Sequence, residues 1–140
     1  MTLRDMRPAD LPPVRALLEQ LGYSLDEAEL GRRYAHVAAA TGHRVVVAEM
    51  DGEVVGLLHV FERPALEKPC EAVVQALVVD GRRRGSGIGQ RLMHEAERWA
   101  AERGLASTSL YTGTARLDAH AFYERIGYRL KGTSHLMQRG

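Results

Sequence analysis

Residues 72–93 constrain the fold of this chain more than any other stretch. An apolar segment, Ala72 to Val79, runs without interruption into Asp80-Gly81-Arg82-Arg83-Arg84-Gly85-Ser86-Gly87-Ile88-Gly89-Gln90. Apart from Gln75 the segment is apolar at every position, the pattern of a central strand covered by helices on both faces. Ile88, Leu92, Ala96, Trp99 and Ala100 then recur at helical spacing, with Gly104 as the stop. The chain therefore passes from strand to glycine-rich loop to helix. Glycines let backbone N–H groups approach a ligand closely. The helix adds unpaired N–H groups and the positive end of its dipole. Three arginines add charge and bidentate donors. Together these form an anion site, most naturally for a pyrophosphate.

Two common nucleotide loops do not fit. The P-loop needs Gly-Lys-Ser/Thr before its helix, and none is present. The dinucleotide fingerprint fails at its last glycine, because Gly85 and Gly87 lead to Gln90. That fingerprint also follows the first strand of its unit, whereas this loop lies past mid-chain.

The remaining elements are set by local signals. Leu3 to Arg7 reads as a short strand. Asp10 caps a helix whose first turn tolerates Pro12 and Pro13, and Gly22 ends it. Ser24-x-x-Glu27 reads as a capping box for a second helix to about Ala40. Val45–Met50 and Glu53–Phe61 are strands joined by Asp51-Gly52, a strong hairpin signal. After the third helix come a strand at Thr108–Thr112, a helix from Leu117 to Ile126, and two strands at Tyr128–Lys131 and His135–Gln138. The order is β-α-α-β-β-β-α-β-α-β-β, so hairpins lead into a β-α-β crossover and the sheet is mixed.

A chain of 140 residues implies one domain, 1–140. Net charge is +1, which gives no electrostatic footprint for nucleic acid. No run approaches the roughly 18 apolar residues of a membrane span. Cys70 is the only cysteine, so an intrachain disulfide is excluded, which suits a reducing cytoplasm. The first residues lack the apolar core of a signal peptide. The histidines lack metal-ligand spacing, so no metal is expected.

The spacing Arg84-x-x-Gly87-x-Gly89 after an apolar strand resembles motif A of the GNAT superfamily, the acyl-CoA-dependent N-acetyltransferases. Val46-Val47-Ala48-Glu49, Asp51-Gly52 and Val55-Gly56 resemble the second and third strands of that family. His120-Ala121-Phe122-Tyr123-Glu124-Arg125-Ile126-Gly127-Tyr128 resembles its motif B. The likeness runs along essentially the whole chain. It implies an α/β (α+β) GNAT fold: a central mixed, mostly antiparallel sheet of six to seven strands, with about four helices packed on both faces and a splay between strands 4 and 5. It implies acetyl-CoA as co-substrate, a small-molecule or peptide amine as acceptor, and assembly as a homodimer.

By the same resemblance, the backbone of Leu77, Val78 and Val79 holds the pantetheine arm, and a main-chain N–H there polarises the thioester carbonyl. Arg84, Gly85, Ser86, Gly87, Ile88, Gly89 and Gln90 hold the pyrophosphate. Tyr123 donates a proton to the leaving thiolate; the alternative is a core aromatic. Many members carry asparagine where Arg116 stands, and a glutamate base at or near Gln75. Glutamine cannot take a proton. Glu71, four residues earlier, and His59 on the third strand are the candidate bases, with solvent or a backbone carbonyl as the other routes. A non-catalytic acyl-CoA-binding module with the same fold is the alternative function.

Overall fold

The computed structural model describes residues 1–140 and divides into two compact units, Met1–Leu110 and Tyr111–Gly140. The first contains β1 (Thr2–Asp5), α1 (Leu11–Leu21), α2 (Glu27–Ala39), β2 (His43–Met50), β3 (Glu53–Arg63), β4 (Glu71–Val79), α3 (Ile88–Glu102) and β5 (Thr108–Leu110). The second contains α4 (Leu117–Arg125).

The five strands lie in the order β1-β2-β3-β4-β5, antiparallel except for the parallel β4–β5 pair. Hairpin connections require antiparallel neighbours, and the crossover through α3 returns β5 parallel to β4. In the β2–β3 turn Asp51 has φ 52° and Gly52 φ 78°, the two left-handed residues that a tight hairpin needs.

Strand alternation divides the core into two layers. Val47, Leu57 and Val78 face α1 and α2, where they pack with Val14, Leu17 and Leu30. The opposite face receives α3. There Gly56 leaves little room for a side chain: a Cβ would lie 3.0 Å from Leu92 Cδ1 and 3.1 Å from Ile88 Cγ2. Ile88, Leu92, Ala96, Trp99 and Ala100 are buried, as their spacing predicts, and Met93 joins them.

Several sequence expectations change. The sheet has five strands, not six to seven, because residues 128–140 form no strand. Their apolar side chains Leu130, Leu136 and Met137 are exposed. A short hairpin with so few apolar residues has little surface to bury and is marginal by itself. β5 is shorter than Thr108–Thr112. Asp10 stands at the N-cap position of α1, but its side chain does not cap the helix; its carboxylate accepts from Arg4 at 2.8 and 2.9 Å and from the Arg7 N–H at 2.7 Å. The cap of α2 is Asp26, whose Oδ1 accepts from the Glu29 N–H at 2.8 Å, and the Ser24 capping box is absent. Aspartate two residues later offers a stronger, charged acceptor and starts the helix two residues further on.

Candidate functional site

The geometry of the site begins with an irregularity in β4. Val74 is opposite Val60 and Ala76 opposite His59, so Gln75 is the extra residue of a β-bulge, and it is exposed. β5 pairs with β4 only from Ala72 to Val74 and stops at Leu110. From Gln75 to Val79 the sheet ladder leaves the β5 side of β4 open. Leu77 and Val79 turn their side chains to the α3 face and Val78 to the α1–α2 face, so their packing and their free backbone edge serve separate purposes.

The strand delivers the chain directly into the loop. Asp80 is buried, and its carboxylate accepts from the Arg82 N–H at 3.1 Å and the Arg82 guanidinium at 2.9 Å. The Arg82 bonds hold the Asp80 carboxyl at about 2, against a smaller opposing effect of burial. From α1, Gln20 Oε1 accepts from the Gly81 N–H at 2.8 Å. Arg83 reaches Met50 Sδ at 3.2 Å and Glu53 at 3.9 Å. Arg84 is exposed and has no carboxylate within ion-pair distance.

Gly85 and Gly87 both take left-handed φ, 81° and 83°, with open space where a Cβ would stand. Gly87 is the N-cap residue of α3 and supplies no side-chain cap, so the first amides of Ile88, Gly89 and Gln90 face outward unpaired by side chains. Ser86 turns its hydroxyl inward to the Arg83 carbonyl. A glycine cradle, a bare 15-residue helix terminus and one uncommitted arginine fit a diphosphate well.

The other candidate residues lie in different surroundings. His59 sits level with Ala76 beside the bulge, and its Nε2 is 3.0 Å from His43 Nδ1. Burial, then the nearby His43, pushes the His59 pKa down to about 4. Glu71 lies at the far end of β4, on the closed side of the three β4–β5 rungs. It is ion-paired to Arg63 at 2.6 Å and Lys68 at 3.2 Å. Burial pushes its pKa up, but the hydrogen bonds from Lys68 and Arg63 outweigh this and hold it below the ordinary glutamate value. The structure thus brings His59, but not Glu71, to the open part of β4.

Tyr123 belongs to the second unit. It is on α4, edge-on to Phe122 at 5.1 Å and to Tyr128 at 6.1 Å. Burial raises its pKa above 10, against a smaller lowering effect of Arg116, so the phenol keeps its proton at neutral pH.

Sequence reading missed Gln20, His43 and Asp80. Asp80-Gly81-Arg82 carries a readable signal, since aspartate commonly bonds the amide two residues on. The Gln20 contact spans 61 residues and has no local signature.

Comparison with known proteins agrees with this geometry. Residues 11–128 match the model of the acetyltransferase (GNAT) family. The chain belongs to that family. It is 38% identical over 84 residues to the aminoalkylphosphonate N-acetyltransferase of Salmonella typhimurium, covering 59% of this chain and 54% of that protein. The chain spans about half the length of the curated relatives it matches first. A protein from Bacillus halodurans C-125 described as a transcriptional regulator has TM-score 0.89 and 25% identity, with 99% of each chain covered. AAC(6')-Iy in complex with the bisubstrate analogue CoA-S-monomethyl-acetylneamine has TM-score 0.86 and 18% identity, with 99% of this chain and 97% of that chain covered.

Proposed function

We propose that this protein is an N-acetyltransferase that moves an acetyl group from acetyl-CoA to a primary amine by direct attack within a ternary complex. The observation that carries the reading is the continuity of the open β4 edge, Gln75–Val79, with the glycine cradle at the start of α3. In this reading the pyrophosphate rests on residues 84–90, with Arg84 as the cationic partner. The pantetheine amides pair with the free edge at Leu77–Val79 as an added strand would. A backbone N–H on that edge stabilises negative charge developing on the thioester oxygen.

Tyr123 is the proposed proton donor to the departing thiolate, and its burial suits that role by keeping the phenol neutral. A lysine-like amine costs roughly 4–5 kcal/mol to deprotonate at pH 7. His59, with its pKa near 4, is a weak proton acceptor, and Glu71 is committed to two cations. We assign deprotonation of the amine to solvent at the exposed bulge. The family match crosses from the first compact unit into the second, which supports treating 1–140 as one domain. No helix is long and apolar enough to cross a membrane, and we propose a cytoplasmic homodimer.

The test is release of free thiol from acetyl-CoA in the presence of a panel of amines. Amine-dependent release supports the reading. Acetyl-CoA binding without release under every amine supports the second reading, a non-catalytic acyl-CoA-binding module. Gln75, standing where the family commonly carries a base, favours that alternative.

A further inference from the structure

One cluster on the sheet is not used by the chemistry above. His43, His59 and Phe61 lie on the α1–α2 face, continuing the row of Val45 and Val47 beyond the helix-covered core. The His43 and Phe61 rings stack with centroids 5.1 Å apart and planes at 11°. His43 Nδ1 and His59 Nε2 are 3.0 Å apart, so one nitrogen donates to the other and the two rings share one N–H. Both imidazoles are half-buried, and His59 is level with Ala76, next to the bulged Gln75.

The charges on this face are unbalanced toward cations. Arg63 continues the row beyond Phe61 and, with Lys68, holds the single carboxylate Glu71. Arg44 and Glu62 alternate to the other face, where they pair with Asp5 and Glu95 and with Arg103. From α2, the Tyr34 hydroxyl is committed to the Met6 carbonyl. Gln75 is a neutral amide. The carboxylate on this row, Glu71, is already committed to Arg63 and Lys68. An oxyanion would find two imidazoles that lack only a proton.

We propose that the His43–His59 pair receives an acidic group on the acceptor. The acceptor is then an amine that also carries a carboxylate, phosphate or phosphonate, rather than a polyamine or a lysine side chain. Binding takes a proton from solvent, so the neutral pair becomes a cationic pair: the shared N–H stays between the rings and an outward ring N–H donates to the oxyanion. This inference rests on the acetyltransferase reading for its position beside the bulge, but its first test does not depend on turnover.

That test is a titration of the imidazole proton–carbon signals by NMR across pH, with and without methylphosphonate. An upward shift of the His59 titration in the presence of methylphosphonate, lost in His43→Gln, is expected. No shift overturns the inference whether or not the protein acetylates any amine. The second test compares β-alanine and 2-aminoethylphosphonate with β-alaninamide as acceptors. The acidic acceptors should show kcat/KM about 10-fold or more higher, the value of one charge-assisted hydrogen bond. The preference should strengthen as pH falls toward about 6, as a histidine-held anion requires. It should collapse in His43→Gln and His59→Gln, while His43→Arg keeps it and flattens its pH dependence. Turnover without preference, or a preference untouched in both glutamine variants, overturns the proposal. Melting curves by circular dichroism establish that each variant is folded. Failure to turn over any amine counts against the acetyltransferase reading alone.

Discussion

Three consecutive arginines open the loop, yet their tasks differ. Arg82 neutralises buried Asp80, Arg83 braces the β2–β3 hairpin through Glu53 and Met50, and Arg84 is uncommitted. Arg84→Ala should therefore raise the dissociation constant for acetyl-CoA about 10-fold, the value of one charge-assisted bond to phosphate. Arg82→Ala should act mainly on stability. Equal effects of the two substitutions on coenzyme affinity, read by isothermal titration, would contradict this division. At Tyr123, removal of the hydroxyl in Tyr123→Phe should lower kcat by about 100-fold, at the low end for a lost proton donor. With the phenol pKa raised by burial, the phenol keeps its proton throughout the neutral range, so the loss should be constant there. Sequence carried the glycines, Arg84 and Tyr123 as candidates because each belongs to a local pattern. It could not rank the arginines, since partners such as Glu53 and Met50 come from another hairpin.

At the scale of elements, the junction of β4 with its loop is held by a charge. The Asp80 carboxyl lies at about 2, below the ordinary 3.8, because Arg82 bonds it through side chain and backbone. A folded-state pKa below the unfolded one stabilises fully above the unfolded value and is lost as pH falls through the folded value. Asp80→Asn should therefore melt lower than wild type at neutral pH, and the gap should narrow as pH falls from about 4 to about 2. A gap independent of pH would contradict the assignment. On the other side of the sheet, Gly56→Ala forces a methyl against Leu92 and Ile88 in a filled layer. It should cost about 1–3 kcal/mol in denaturant unfolding. The elements themselves were largely legible, because hydrophobic period and glycine stops are local. The bulge at Gln75 was not. It is a mismatch between two strands' registers and leaves no mark in either alone beyond one polar residue in an apolar run.

For the whole molecule, the parallel β4–β5 pair is short and the open edge beyond it is long, and a crossover from β4 through α3 produces both. The order of elements and the mixed sheet followed from sequence. The strand count did not, because residues 128–140 carry an alternating pattern without enough apolar surface to enforce it. The glycine loop and the open edge together form the proposed coenzyme A site. Isothermal titration of acetyl-CoA into wild type and Gly87→Glu, with ATP and NAD as controls, tests it most directly. Gly87 has φ 83° and open space above it, so glutamate there strains the turn and places a negative charge over the bare helix terminus. Wild type should bind acetyl-CoA but neither control, and Gly87→Glu should lose binding. Absence of acetyl-CoA binding by wild type at millimolar concentration, or undiminished binding by Gly87→Glu, would contradict it.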